Sequence, residues 1–123
     1  MVGTNGVVDL KINTDGQTTV VSFNTASISN TETITSAAEQ IKKFIEDNRP
    51  QKIVFDFGGV KFFCSQVLGM LLEVRSKMQT YNGELVISAI NPSLHRVFKI
   101  TNLDKIFKFF PDIDSAIKAA NVN

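Results

Sequence analysis

The chain has 123 residues, the size of one domain with one core, and its 43% hydrophobic and 20% charged residues, with ten Phe and no Trp, describe an ordinary globular composition. Thirteen Lys and Arg face twelve Asp and Glu, a net charge of +1 with no basic run, which argues against nucleic-acid binding. One Cys and one His exclude an intramolecular disulfide, and exclude a zinc site of four cysteines or of two cysteines and two histidines within the chain.

Val7 to Asn13 alternates, with Val8, Leu10 and Ile12 on one face, and Asp15-Gly16 supplies a hairpin turn. Thr18 to Phe23 follows as a second strand, with Thr19, Val21 and Phe23 on one face and Val20 on the other. Asn24 to Asn30 is loop-like. Two capping boxes compete to open the next helix, Ser29 with Glu32 and Ser36 with Glu39. Ile34, Ala37, Ala38, Ile41, Phe44 and Ile45 form its apolar stripe, and it should stop near Asn48, ahead of Pro50.

Ile53 to Phe57 has the continuous apolar character of a strand buried on both faces. A Gly58-Gly59 turn leads through Val60 to Cys64 into a second helix, Ser65 to about Tyr81, which Asn82-Gly83 closes with Gly83 as the left-handed cap. Leu85 to Ala89 is the next strand, parallel to the last by the crossover rule. Asn91-Pro92 opens a short helix with Leu94, Val97 and Phe98 buried. Leu103 to Phe110 holds a final strand, with core packing for at least two of Phe107, Phe109 and Phe110. Asp112 caps a last helix facing inward through Ile113, Ala116, Ile117 and Ala120. The order is β-β-α-β-α-β-α-β-α, a single α/β domain over residues 1–123 with no linker or repeat.

Catalytic signatures are sparse. Gly58-Gly59 with Lys61 has neither the spacing of a phosphate-binding loop nor the three glycines of a dinucleotide site. Cys64 reads as a small packing thiol and His95 as a surface or half-buried imidazole. No catalytic residue, metal ligand or cofactor is assigned, and the chain is read as a non-enzyme. Met1–Gly6 lacks the features of a secretory leader, and no apolar run approaches the ~20 residues of a membrane span, so a cytoplasmic protein without membrane insertion is expected.

The informative stretch is the junction Phe62-Phe63-Cys64-Ser65-Gln66-Val67-Leu68-Gly69 after the strand that ends in Asp56-Phe57. Ser65 stands where a helix begins. Its hydroxyl could cap free N–H groups, and the same position would accept a phosphate at the positive end of the helix dipole.

These residues, with Asn82-Gly83-Glu84-Leu85, Asn91-Pro92 and the segment from Val97 to Phe107, resemble the STAS domains, named for sulfate transporters and anti-sigma-factor antagonists. The resemblance covers nearly the whole chain and implies the STAS fold, a mixed, mostly parallel sheet of four to five strands with about four helices. In the antagonists the junction reads roughly Asp-Ser-Ser-Gly-Leu-Gly, and its first Ser is phosphorylated by an anti-sigma factor that is also a serine kinase. Ser65 matches that Ser, and Leu68 and Gly69 match the Leu and Gly after it. Cys64, Gln66 and Val67 depart from the pattern, replacing Asp, Ser and Gly.

Carried over, Ser65 is the expected phosphorylation site, and Phe62, Phe63, Cys64, Ser65, Gln66, Ser27 and Ile28 form the expected partner-binding face. The implied partner is an anti-sigma factor and serine protein kinase, with a serine phosphatase as the reverse arm. Homodimerisation is left open. Two alternatives stand beside this: a phosphorylation-independent STAS module for another signalling or transport partner, and a small-ligand-binding domain.

Overall fold

The computed structural model describes residues 10–119. Strand β1 (Leu10–Asp15) and β2 (Thr18–Phe23) form an antiparallel hairpin in register from Leu10↔Phe23 to Asp15↔Thr18. Gly16 takes φ 64° at the turn, a conformation glycine adopts without strain. Val8, which should extend the first strand, and Ala120, at the end of the last helix, lie outside the described residues.

The chain continues through β3 (Ser27–Ile28), α1 (Thr31–Asn48), β4 (Lys52–Asp56), β5 (Phe62–Phe63), α2 (Gln66–Gln79), β6 (Glu84–Ser88), α3 (Pro92–Ile100), a 3-10 turn (Leu103–Lys105), β7 (Lys108–Phe110) and α4 (Ile113–Lys118). The main sheet has five strands in the order β1-β2-β4-β6-β7, parallel everywhere except between β1 and β2. The expected order of elements holds. To it the structure adds a two-stranded parallel sheet of β3 and β5.

Alternation divides the sheet into two faces. Val21, Phe23, Ile53, Phe55, Leu85 and Ile87 point to the larger core, where they meet Ile34, Ile41 and Ile45 of α1, Leu71, Val74 and Met78 of α2, and Leu94 and Phe98 of α3. Val54 and Val86 point the other way and pack under Ala116 of α4. Each fully buried side chain of this size contributes about 1.5–3 kcal/mol of hydrophobic burial.

The abundance of Phe has a structural use. Phe23, Phe55 and Phe57 stack on one another at 5.4 to 6.3 Å between ring centroids. Phe63 then bridges Phe57 (5.7 Å) and Phe98 (6.0 Å), and Phe98 meets Phe107 and Phe109 edge-on at 5.9 and 5.1 Å. This chain of rings ties β5 into the core. Phe107 is buried, Phe109 packs against the larger core and Phe110 against the smaller one.

Several sequence expectations need correction. Asn30, not Ser29 or Ser36, caps α1: its Oδ1 accepts from the Glu32 and Thr33 N–H groups at 2.8 and 3.2 Å. The helix α2 starts one residue later and ends earlier than expected, and Asn82, not Gly83, takes the left-handed conformation after it (φ 67°). Gly83 is required for space, since a Cβ there would lie 2.9 Å from the Tyr81 ring and 3.2 Å from the Met78 carbonyl oxygen.

Lys52 is the feature with no counterpart in the sequence reading. It is buried, and its Nζ donates to the Ala116 and Ala119 carbonyls at 2.8 and 2.6 Å. A cation there meets the negative end of α4 and pins that helix to the sheet.

Candidate functional site

The site grows out of the end of β4. Asp56 accepts from Ser22 Oγ at 3.1 Å and from the Gly58 N–H at 2.8 Å, which bends the chain out of the sheet. The Val60 N–H returns to the Phe57 carbonyl at 3.0 Å and closes the turn. Lys61 and Phe62 then both donate to the Ala26 carbonyl, at 2.8 and 3.1 Å, and Cys64 donates to the Ile28 carbonyl at 3.0 Å. Between these bonds β5 lies parallel on β3, with Ser27 opposite Phe62 and Ile28 opposite Phe63.

Asn91 braces the corner from the other side. Its Nδ2 donates to the Val60 carbonyl at 3.2 Å while its Oδ1 caps α3 by accepting from the Leu94 N–H at 2.9 Å. Pro92 follows in the first turn, as its spacing predicts.

Ser65 sits at the apex and is exposed. Its backbone is already helical (φ −61°, ψ −19°), and its side chain makes no capping hydrogen bond. The capping role expected of it is therefore absent. The first turn of α2 is closed by main chain alone: the Val67 N–H reaches the Cys64 carbonyl and the Leu68 N–H the Ser65 carbonyl, each at 3.0 Å. The hydroxyl stands free at the positive end of the helix dipole.

The seven residues expected on the docking face separate into two layers. Ser27, Phe62, Ser65 and Gln66 are exposed, with Phe62 at 54%. Cys64 is half-buried and packs against the core. Ile28 and Phe63, at 2% and 5% exposure, lie beneath the surface. They hold the corner up and offer a partner no contact area, because a two-residue strand points one side chain out and the next one in.

Two neighbours escaped the sequence reading. The Thr31 hydroxyl donates to Gln66 Oε1 at 2.9 Å, joining the starts of α1 and α2. Beside Gln66 a groove of about 380 Å³ opens between these helices, floored by Ile34, Ala38, Gly69 and Met70 and crossed by the Lys42–Glu73 ion pair at 2.8 Å. A Cβ built on Gly69 would meet nothing within 4 Å, so the fold does not require a glycine there.

No group of three His, Cys, Asp or Glu that could hold a metal ion occurs among the described residues. His95 lies on α3 with its ring against Phe109, 4.5 Å between centroids. No helix is long and apolar enough to cross a membrane among the described residues.

Comparison with known structures places this architecture among several of different description. An anti-sigma factor antagonist from Mycobacterium paratuberculosis superposes with a TM-score of 0.80 at 24% identity, over 98% of this chain and 100% of that one. The Bacillus cell fate determinant SpoIIAA in its phosphorylated form gives 0.70 at 15% identity, over 89% and 96%. The STAS domain of a SulP transporter from Vibrio cholerae gives 0.65 at 14% identity, over 85% and 81%. At these identities the likeness concerns the fold, which antagonists and a transporter domain share. The STAS domain family model matches residues 11–116, and this chain belongs to the STAS domain family.

Proposed function

We propose that this domain is a protein-interaction module of the antagonist kind, which binds an anti-sigma factor with serine kinase activity and is switched by phosphorylation at Ser65. The observation that carries the reading is the exposed Ser65 hydroxyl, free of any capping bond, on a corner fixed by backbone hydrogen bonds. A hydroxyl that served only the helix would be engaged with it.

The chemistry follows from that placement. The kinase transfers the γ-phosphoryl of ATP to Ser65 Oγ: a phosphorus–oxygen bond forms, ADP leaves, and the hydroxyl proton passes to a base on the kinase. The new group carries about −1.5 to −2 charges and arrives beside the α2 N-terminus, where negative charge is stabilised. The domain keeps its shape, and the effect falls on the partner. Charge and bulk land in the middle of a face that otherwise offers the apolar Phe62 ring and the neutral Gln66, and desolvating a phosphate there costs more than the contact returns. Gly69, one turn beyond Ser65, leaves room for partner backbone to approach α2 closely. A serine phosphatase resets the switch. On this reading the domain catalyses nothing and works in the cytoplasm.

Intact mass of the domain after incubation with its cognate kinase and ATP tests the reading. A single phosphoryl adduct, absent from Ser65→Ala, is expected. An unchanged mass beside an active kinase would contradict it. One observation favours a phosphorylation-independent variant: Cys64 and Gln66 replace the Asp and second Ser of the antagonist motif, and Gln66 is tied to Thr31. Ser65→Asp separates the two, since it weakens binding to the partner only where the charge is the switch.

A further inference from the structure

The pole opposite Ser65 carries a second surface. Helices α2 and α3 both start at the corner and run away from it, α2 for about 20 Å. At their far ends stand Ile100, 73% exposed, and Ile106, 39% exposed, two of the three large hydrophobic side chains that are exposed among the described residues. Cations surround them. Between Arg96 and Lys108 the chain has four Lys and Arg against the single carboxylate of Asp104. Lys108 is held by Glu84 at 3.2 Å, but Arg96, Lys99 and Lys105 form no ion pair among the described residues. Arg96, Lys99 and Ile100 share one face of α3, and Ile106 adjoins Arg75 of α2 across a shallow recess.

The fold does not account for this grouping. Two further carboxylates at this pole are engaged, Glu84 beside Ile106 with Lys108 and Glu46 at the end of α1 with Lys77 of α2 at 2.9 Å, so the local excess of positive charge rests on Arg96, Lys99 and Lys105. We propose that this pole docks on an anionic lipid bilayer, with Ile100 and Ile106 seated at the headgroup boundary and Arg96, Lys99 and Lys105 against the lipid phosphates. Composition selects this occupant over an acidic protein. Protein interfaces are enriched in aromatic residues and depleted of Lys at their centres, whereas this patch is aliphatic and Lys-rich. Apolar residues ringed by long flexible cations match a surface that accepts alkyl side chains and lets ammonium groups stay in the headgroup layer. Such docking is reversible and leaves the Ser65 corner facing away from the membrane, free for its partner.

Sedimentation of the full chain with vesicles tests this independently of the Ser65 reading. The chain should pellet with phosphatidylcholine vesicles containing phosphatidylglycerol, should not pellet with phosphatidylcholine alone, and should be released by salt. Arg96→Gln and Lys99→Gln should each lower partitioning about five-fold, and the double variant Ile100→Ser/Ile106→Ser should lower it at unchanged salt sensitivity. These positions are exposed, so thermal midpoints should stay at the wild-type value. Failure to pellet with anionic vesicles, equal pelleting with neutral ones, or partitioning untouched by the variants would overturn the proposal. Retention on immobilised polyglutamate without vesicle binding would overturn it in favour of an acidic protein partner.

Discussion

Two helix starts lie side by side in this domain, joined by the Thr31–Gln66 hydrogen bond, and they are built differently. At α1 the Asn30 backbone is extended, its side chain takes two N–H groups, the Thr33 hydroxyl returns to the Asn30 carbonyl at 2.8 Å, and Glu32 adds negative charge in the first turn. At α2 the residue in the same position, Ser65, has a helical backbone whose carbonyl takes the Leu68 N–H, its side chain bonds to nothing in the helix, and no acidic residue follows in the first turn. Serine ranks with asparagine as a cap, so residue type does not explain the contrast. The start of α1 is committed to folding, whereas that of α2 is left available, on a scaffold stiff enough to hold it in place.

The contrast can be attacked from the corner's foundation first. Phe63→Ala, which removes the ring between Phe57 and Phe98, should lower unfolding stability by about 3–5 kcal/mol in urea titration. Phe62→Ser, one residue away on the exposed side, should change it by less than about 0.5 kcal/mol and act on partner binding instead. Equal losses would mean that the corner is not layered.

The next test is the committed cap. Asn30→Ala should cost about 1 kcal/mol in the same titration. A cost near zero would erase the difference between the two helix starts. Gly69→Ala should move in the opposite direction, raising stability by about 0.5–1 kcal/mol because its methyl enters open space on a helix, while weakening partner binding. A destabilised Gly69→Ala would show that the glycine serves the fold after all.

A third helix start sharpens the comparison through pH. The Asp112 carboxylate accepts from the Ser115 N–H at 2.7 Å, and this bond holds its pKa below the ordinary carboxylate value. A folded pKa below the unfolded one gives stability that is present above the unfolded value and lost as pH falls through the folded one. Acid titration of wild type and Asp112→Asn should therefore show the variant with a shallower loss of stability below about pH 4. Parallel curves would contradict the cap. No such acid limb is expected from Ser65, which carries no charge until it is modified.

Much of the fold was legible because the residues alternate or repeat strongly enough to show which side faces the core. The pattern of β2, the continuous apolar runs of β4 and β6 and the Asn91-Pro92 opening all survive in the structure. The corner was legible only in part. In Val60-Lys61-Phe62-Phe63-Cys64 two adjacent phenylalanines give no parity, and the pairing with Ser27-Ile28 that decides it comes from residues far off in sequence. The caps of α1 failed for a related reason. Both serine boxes satisfy the local rule, but Ile34 must be helical to reach the core, which excludes Ser36, and the Asn30 side chain takes the Glu32 and Thr33 N–H groups ahead of Ser29. Lys52 was invisible because a lysine beside a strand reads as solvated, and only the docking of α4 supplies carbonyls to receive it.

Equilibrium urea unfolding of Ser65→Ala against wild type asks most directly whether that hydroxyl belongs to the helix or to a partner. The two midpoints should coincide, a difference below about 0.5 kcal/mol, because the side chain bonds to no backbone group. A loss of about 1 kcal/mol or more, the signature of a working cap, would contradict the account.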